Sequence, residues 1–530
     1  MTEFLFNNSQ YRTDLINSLL TGKLKIDNHV CDCLYNVKFS ANGTPKIVEP
    51  NINAKGQSLP CSYQTTLLNL GYNSKYLGGG AYGNAYKICA NKDCSLDYAI
   101  KVIYYDIYHK RNYGSIDNPN RPENIEVRLL KLLNQRILYP NLSPHITLYI
   151  QDFRCKGIPI VDPKFVLSKH QDLDDIDPKH SLILISELAK YGSLHGFIVN
   201  QIKTQTVTEE LLSNLVFQYV YTMAQIQKTM PNFRHNDCHA GNMLVQQDSK
   251  YNEVSEQYYI YHYGQKFFRL PLIGQQLKLW DFDFANIKGE VDNLKIETFD
   301  PEEFGYRPDK NHYYDLHILV NDLLMHKDPD SKYDADYLPA ISSNSSLMTF
   351  LKEIVPVKYY GQTSPNTYYG RLIPNIEYTT PDQLLSQGGY LSKHYETTLD
   401  QINLDHVIDV FGMDRDQFEK LVKVANTETV QVPELENKYI RSPSRLVGSP
   451  QPMIAPPSEI PISQSICELP KQQKVYPNGK CPQPKAHNSP QLKPCPSQSR
   501  FCYRCVSDAS LCTHGKAVRK KGLSFSYKVP

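Results

Sequence analysis

The alternation of apolar and polar residues divides the chain into a strand-rich stretch followed by a longer helical one. Between residues 71 and 190, apolar runs of strand length recur at 85–89, 98–104, 146–150 and 182–185. A 3.6-residue period interrupts them and predicts one helix over 122–133. This stretch is therefore predicted to form a small, β-rich lobe.

Helical periodicity dominates residues 191–430. The longest apolar face covers 209–230, and Thr206 and Glu209 stand at capping-box spacing at its start. Residues 1–70 mix Asn, Pro and Lys with short apolar groups, which we interpret as an N-terminal extension. A small strand-rich part followed by a larger helical part predicts an α+β architecture with a cleft between two lobes.

An insertion at about 246–276 interrupts the helical part. Its residues alternate around Tyr263 and Gly264, which predicts a β-hairpin. The pattern alone leaves open whether this hairpin is more than a surface decoration.

Composition changes the picture mainly at the carboxy terminus. Residues 431–530 hold 15 of the 35 prolines of the 530-residue chain and few long apolar side chains, which predicts a disordered, Pro/Ser-rich tail. The net charge of +2 argues against a nucleic-acid coat, and no run of 18 apolar residues predicts a membrane-spanning helix. Thirteen cysteines without an export signal predict reduced thiols in an intracellular protein.

Three glycines in the strand-rich part suggest a phosphate-binding loop. They are spaced Gly78-x-Gly80-x-x-Gly83, and glycine lets phosphates approach the backbone closely. A dinucleotide-binding fold requires a helix directly after such glycines, whereas a strand is predicted here. The next predicted strand carries Lys101, a cation that can reach the phosphates, although a solvated edge lysine is the simpler alternative.

The predicted helix offers two acidic partners for Lys101. Glu123 and Glu126 both qualify, and we choose Glu126 because it precedes the pair Leu129–Leu130 by three and four residues, the register usual for a glutamate that pairs with such a lysine. A surface glutamate on an amphipathic helix is the alternative.

The most informative segment is His235-x-Asp237-x-His239-x-x-Asn242, which is followed by a short strand. It resembles the H-R-D-x-x-x-x-N catalytic loop of the eukaryotic-type protein kinase superfamily, with the same separation between Asp237 and Asn242. Downstream, Asp281 in Trp-Asp-Phe-Asp stands where that family carries its D-F-G aspartate. Each of these motifs alone could be an ordinary turn. Because all of them occur in the order and at the distances found in kinases, a chance match is a poor explanation.

The resemblance implies a bilobal protein-kinase-like fold over about residues 71–430 and assigns roles to the motifs. Asp237 would accept the hydrogen bond of the acceptor hydroxyl, Asn242 and Asp281 would bind Mg²⁺, and Lys101 held by Glu126 would bind ATP phosphates. It implies further ATP contacts at Leu77, Gly78, Gly80, Gly83, Ala85, Ala99 and the hinge residues Glu187 and Ala189. Asp315 resembles the aspartate that braces the catalytic loop.

Three positions depart from the family pattern. Asn236 replaces the H-R-D arginine that usually receives an activation-loop phosphate, which argues against activation by phosphorylation. His239 replaces the lysine usual in Ser/Thr kinases. Asp283 occupies the D-F-G glycine position, where its tolerance of positive φ would help. With the hairpin, these features resemble kinases of large DNA viruses, which implies the host cytoplasm or the virion as location.

The end of the tail carries candidate metal ligands and a basic cluster. Cys502, Cys505, Cys512 and His514 could bind structural Zn²⁺, with free thiols as the alternative. Basic residues interleaved with aromatic ones could contact nucleic acid, although such charges are more often simply solvated. The basic residues are Arg500, Arg504, Arg519, Lys520 and Lys521.

The sequence therefore predicts a serine/threonine protein kinase that acts on a protein substrate. It predicts no association with a membrane. Two alternatives stay open. A small-molecule kinase of the aminoglycoside or choline type carries a similar loop, and no Ala-Pro-Glu triplet is found to mark a peptide platform. A pseudokinase scaffold acting through the tail is the other.

Overall fold

The computed structural model describes residues 36–39, 45–49, 73–80, 83–89, 93–94, 97–107, 113–156, 176–248, 250–251, 256–325, 345–361 and 363–428. Within the predicted extension, β1 (Asn36–Phe39) and β2 (Pro45–Glu49) pair as an antiparallel ribbon. The predicted tail lies outside the described residues.

A five-stranded antiparallel sheet forms the first lobe. Its strands are β3 (Asn73–Gly80), β4 (Gly83–Cys89), β5 (Asp97–Asp106), β6 (Tyr149–Lys156) and β7 (Ile176–Ser186). They lie in the order β3-β4-β5-β7-β6, so the central strand β5 pairs with β4 on one side and β7 on the other. The run predicted as a strand from Ile146 starts only at Tyr149, because Ile146 instead forms a parallel bridge to Leu279 of the second lobe.

One long helix, α1 (Pro122–Leu133), accompanies the sheet and occupies the predicted range. The four apolar residues that give the helical period are fully buried, namely Ile125, Leu129, Leu130 and Leu133. Pro122 at the first helical position suits a helix start. Glu126 lies on a buried turn of the same helix. Burial of this face positions one carboxylate against the sheet.

The second lobe is mainly helical, and its core is continuous with that of the first. Its helices are α2 (Leu194–Lys203), α3 (Glu209–Thr229), α4 (Leu294–Glu297), α5 (Pro301–Phe304), α6 (Tyr314–Met325), α7 (Ser346–Ile354), α8 (Pro381–Ser386), α9 (Tyr390–Tyr395) and α10 (Arg415–Glu428). A π-helical turn at Asn134–Leu138 and 3-10 turns at Ala240–Asn242, Val357–Tyr359, Leu399–Gln401 and Leu404–His406 complete the described helical structure. The α+β, two-lobed prediction is confirmed.

Helix α3 starts where the periodicity predicts, but its cap is not the predicted one. The side chain of Thr208, not Thr206, accepts the hydrogen bond from the amide of Leu211. Thr206 instead bonds back to Gln201 at the end of α2. A local pattern identifies the cap only to within a few residues, since the chain direction entering the helix decides it.

Short strands line the cleft of the second lobe. They are β8 (Phe233–Arg234), β9 (Met243–Gln247), β12 (Gln275–Leu279) and β13 (Asn286–Ile287), and they pair as β8 with β13 and β9 with β12. The segments that leave these strands carry the residues singled out from the sequence. A separate three-stranded sheet consists of β14 (Thr363–Ser364), β15 (Thr367–Tyr368) and β16 (Arg371–Leu372).

The predicted hairpin is present as β10 (Tyr258–Tyr263) and β11 (Lys266–Pro271). Both strands join β17 (Glu396–Thr397) and β18 (Val407–Phe411) in a four-stranded sheet, with β18 parallel to β10. Tyr261 and Phe268 are buried against Phe217 of α3. The hairpin is therefore part of the core of this lobe and not a surface decoration.

The cysteines differ from the prediction at one place. Cys89 and Cys94 form a disulfide between the end of β4 and the approach to β5, so the prediction of reduced thiols is wrong for this pair. Cys238 is a free thiol in the core. Within the described part of the chain, no helix is long and apolar enough to cross a membrane.

Candidate active site

Three charged side chains from three separate segments meet in the cleft. Lys101 on β5 donates to Glu126 on α1, with 2.7 Å between Nζ and Oε1, and to Asp281 after β12, with 2.8 Å between Nζ and Oδ1. Glu123, the competing candidate, instead pairs with Arg121. The structure therefore brings Glu126, not Glu123, to Lys101.

The two carboxylates hold Lys101 in its charged form. Burial alone would lower the pKa of this amine, but the charges of Asp281 and Glu126 outweigh it and raise the pKa above its usual value. Burial raises the pKa of Glu126 to about 7, an effect that the charge of Lys101 opposes. The ammonium group is thus a fixed positive charge facing the cleft beside Asp281.

The surroundings of the glycines in β3 and β4 differ from one position to the next. A Cβ at Gly83 would collide with the backbone carbonyl of Val102 on β5, so only glycine permits this pairing. A Cβ at Gly78 would meet no other atom within 4 Å, so packing does not require glycine there. Gly80 pairs with Gly83 at the end of the two strands, and the tip between them lies outside the described residues.

The residues predicted to contact the rest of ATP lie on adjacent strands and the following segment. Leu77 is on β3, Ala85 on β4 is the register partner of Lys101, and Ala99 on β5 is the register partner of Ser186. Glu187 is fixed by its own side chain, which accepts a hydrogen bond of 2.7 Å from the amide of Leu148. This hydrogen bond attaches the segment after β7 to the segment that leads into β6.

Helix α6 fixes the loop that contains Asp237. The carboxylate of Asp315 accepts hydrogen bonds of 2.8 Å from the amides of both His235 and Asn236, and Asp322 accepts one of 2.8 Å from the amide of Ala240. Burial raises the pKa of Asp315, but the two amides favour its ionised form. As the resemblance implied for Asp315, this helix braces the loop, and Asp322 adds a second brace.

Three polar side chains converge around Asp237. Arg371 on β16 donates from Nη2 to Oδ1, Asn242 donates to Oδ2 over 2.9 Å, and Nε2 of His239 lies 3.6 Å from Oδ2. Burial alone would raise the pKa of Asp237, but the charges of Arg371 and His239 hold it well below its usual range. Asp237 is thus a buried, ionised carboxylate.

His239 has a defined orientation in this loop. Its Nδ1 accepts a hydrogen bond of 3.1 Å from the amide of Gly241, so the proton of the neutral ring is assigned to Nε2, which faces Asp237. Burial lowers the pKa of His239, but the charge of Asp237 outweighs this and raises it. The charge of Asp237 therefore favours the protonated form of His239, at the position where the usual lysine is absent.

The donor set fits a hard divalent cation. The nitrogen of the Asn242 side chain is used for Asp237, with 3.0 Å to its carbonyl oxygen and 2.9 Å to Oδ2, so the amide oxygen of Asn242 faces away from these bonds. Lys101 engages one oxygen of Asp281 and leaves the other. Carboxylate and amide oxygens are the ligands Mg²⁺ prefers. No cluster of three His, Cys, Asp or Glu side chains able to bind a metal is found among the described residues.

Asp283 has another role than the sequence suggested. The positive φ in this turn, 63°, belongs to Asp281, and Asp283 is instead paired with Lys295 of α4 over 2.8 Å. Lys295 also lies 3.4 Å above the ring of Phe284. An ion pair thus anchors the segment after Asp281, in a place where glycine would allow it to move.

Asn236 also holds this segment. Its side-chain nitrogen donates to the carbonyl oxygen of Phe284 over 3.1 Å and to the side chain of Asn286 over 2.9 Å. The backbones pair as well, since β8 and β13 bring Arg234 opposite Asn286. The residue that replaces the H-R-D arginine therefore makes neutral hydrogen bonds to the activation segment.

The sequence did not identify Arg371, although it makes the strongest contact to Asp237. It is separated from Asp237 by 134 positions and belongs to no recognised motif. The sequence contained only an indirect indication of such a residue: the usual lysine is replaced by His239, so another cation could take its place beside Asp237.

The candidate tail sites lie outside the described residues. They are the zinc ligands Cys502, Cys505, Cys512 and His514 and the basic cluster.

Comparison with known proteins gives matches to viral kinases. The family model described as "Poxvirus serine/threonine protein kinase" matches residues 168–364. A "putative serine/threonine-protein kinase" of Acanthamoeba polyphaga mimivirus is 29% identical over 344 residues, which cover 62% of this chain and 71% of the relative. A second mimivirus protein with the same description is 32% identical over 113 residues, 21% of this chain and 28% of its own length.

A search of solved structures matches the crystal structure of the BubR1 kinase domain. The TM-score is 0.25 at 18% identity, and the match covers 40% of this chain and 46% of the solved one. It thus spans less than half of either chain.

Proposed function

Because the chain is a protein-kinase-like protein similar to viral serine/threonine kinases, we propose that it transfers the γ-phosphoryl group of ATP to serine and threonine hydroxyls of proteins. The observation that carries the proposal is the convergence of Lys101, Glu126 and Asp281 on one side of the cleft, with Asp237 and Asn242 in one braced loop. By similarity to its relatives, the enzyme would act in the cytoplasm of a virus-infected host cell.

Each residue has one role in this proposal. Lys101 binds the α- and β-phosphates, Glu126 keeps Lys101 in place, and the backbone around Gly78, Gly80 and Gly83 covers the phosphates. Asn242 and Asp281 would hold Mg²⁺, which supplies charge neutralisation at the phosphates. The hinge backbone at Glu187 and Ala189, with Leu77, Ala85 and Ala99, would surround adenine.

Asp237 acts on the acceptor. It accepts the hydrogen bond of the hydroxyl, aligns its oxygen with the γ-phosphorus, and receives the proton as the new P–O bond forms and ADP leaves. Its low basicity suits a reaction in which the proton moves late. Catalysis then depends on positioning and charge, because no side chain needs to form a covalent bond with the phosphoryl group.

The function is tested with radiolabelled ATP and Mg²⁺ on mixed protein acceptors and, in parallel, on aminoglycosides and choline. We expect label in protein, as phosphoserine and phosphothreonine after acid hydrolysis, and none with Asp237→Asn. Label only in small molecules would favour the small-molecule alternative, and ATP binding without any transfer would favour a pseudokinase.

Activity is expected without phosphorylation of the activation segment, because Asn236 holds this segment through hydrogen bonds to Phe284 and Asn286. Phosphatase-treated enzyme should keep its turnover. Asn236→Ala should lower turnover by up to about 30-fold, since two hydrogen bonds of about 1 kcal/mol each are lost. Mass spectrometry checks the phosphorylation state. The prediction fails if phosphatase abolishes turnover and one phosphate between residues 284 and 306 restores it.

A further inference from the structure

Arg371 reaches the proposed catalytic carboxylate from a segment outside every predicted motif. Its Nη2 donates to Oδ1 of Asp237, and both side chains are 11% exposed. The guanidinium group also lies 5.2 Å from the centre of the Tyr306 ring, which covers it. An arginine in this place either positions Asp237 for the reaction or blocks the acceptor site.

The way Arg371 is held decides between these two roles. Asn321 of α6 donates to the carbonyl oxygens of Gly361 and Gly370, at 3.0 and 3.1 Å, and accepts the amide of Gly361. These bonds attach the segment before β14 and the turn between β15 and β16 to helix α6. Helix α6 also braces the Asp237 loop, so one rigid helix sets the positions of both partners.

Further contacts anchor β16, the strand that carries Arg371, in the core. Leu372, next to Arg371, is fully buried in the core, and the carbonyl oxygen of Ile373 accepts a hydrogen bond from Arg307. Gly305 approaches the carbonyl of Leu372 so closely that a Cβ there would collide with it. An inhibitory segment must be able to leave the site, whereas this strand could leave only with loss of core packing.

The carboxylate of Asp237 has its geometry fixed from both sides. Arg371 holds Oδ1, whereas Asn242 and His239 lie at Oδ2. Each carboxylate oxygen has two acceptor directions, so Oδ1 can still accept a hydroxyl proton while Arg371 is bound. A guanidinium group stays charged and planar, and it therefore fixes the carboxylate better than a flexible lysine would.

We propose that Arg371 is a positioning residue for phosphoryl transfer, which takes the place of the lysine that His239 replaces by fixing the carboxylate of Asp237 toward the acceptor hydroxyl. The inference rests on the proposed function. Arg371 acts through Asp237 alone: the acceptor proton moves to Asp237, and the bond from the γ-phosphorus shifts from ADP to the acceptor oxygen.

The test is steady-state kinetics of Arg371→Ala and Arg371→Lys in the full chain. Arg371→Ala should lower kcat by about 10- to 100-fold with little change in KM for ATP, as loss of a residue that orients a reacting group usually does. Arg371→Lys should recover part of the loss, and added guanidinium ion should partly rescue the alanine variant. A merely structural role would give neither form of recovery.

A double-mutant cycle with Asp237→Asn separates this role from others. Once Asp237 is replaced, Arg371→Ala should cause no further loss of kcat, because the residue acts through that carboxylate. Arg415→Ala on α10, an arginine bonded to Ile408 and Glu419, is the matched control and should leave kcat unchanged.

The outcomes distinguish the failure of this inference from that of the proposed function. If the unchanged protein transfers phosphate to proteins and Arg371→Ala keeps its kcat, the positioning role is wrong. A rise in kcat would also overturn it and would make Arg371 an inhibitory contact. If the unchanged protein transfers no phosphate to proteins while binding ATP, the proposed function itself fails.

Discussion

Replacing Asp237 by asparagine is expected to lower kcat by about 10²- to 10⁴-fold, the usual contribution of a group that accepts the proton in the transition state. Asparagine keeps the shape and the hydrogen bond acceptor, but it cannot take the proton of the hydroxyl. KM for ATP should change little, because Lys101, which binds the phosphates in our proposal, and Asp281, which would hold Mg²⁺, stay paired. Initial rates at saturating protein substrate measure the effect.

The same substitution also leaves the buried guanidinium of Arg371 without its anionic partner. Breaking such a pair is costly, so the melting temperature should fall as well. ATP binding at the assay temperature, followed by calorimetry, separates loss of catalysis from loss of folding. A folded variant that turns over at the normal rate would remove Asp237 from the reaction and leave the loop with a structural role only.

The sequence predicted the parts of the site that depend on local spacing. Asp237 and Asn242 lie in one loop, so their separation along the chain fixes their proximity. The 3.6-residue period predicted helix α1, and the spacing of Glu126 to Leu129–Leu130 favoured it, although only packing could exclude Glu123, which the structure pairs with Arg121. The two-lobed order likewise followed from where strand and helix periods occur.

Contacts between distant segments could not be predicted. Arg371 meets Asp237 only because α6 fixes both the loop and the β14–β16 sheet, and no local pattern encodes that arrangement. Asp283 was interpreted from its backbone tolerance, whereas its partner Lys295 lies in a helix too short to give a periodic signal. The hairpin was visible as an alternation, but the parallel strand β18 that completes its sheet follows more than a hundred residues later.

Replacing Lys101 by methionine should lower kcat/KM for ATP by about 10²- to 10³-fold, the usual cost of removing one preorganised donor from a phosphate or oxyanion site. Methionine fills a similar volume but provides no charge. The substitution also leaves Glu126 and Asp281 facing each other without the cation between them. We therefore expect weaker binding of ATP as well as slower transfer, which titration with ATP and single-turnover rates measure separately.

Glu126 acts only through Lys101, and this gives the prediction a stringent control. Glu126→Gln alone should cost about 10-fold, since the amine loses one of its two charged partners. In the Lys101→Met background, Glu126→Gln should cause no further loss of kcat/KM for ATP, because there is no amine left to position. Lys278→Met is the matched control: this buried lysine bonds to the carbonyl oxygen of Pro144 and to Gln276, so its loss should lower stability but not kcat/KM for ATP. Equal losses from Glu126→Gln in both backgrounds would show that Glu126 and Lys101 act independently, and the phosphate-binding role of the pair would then be wrong.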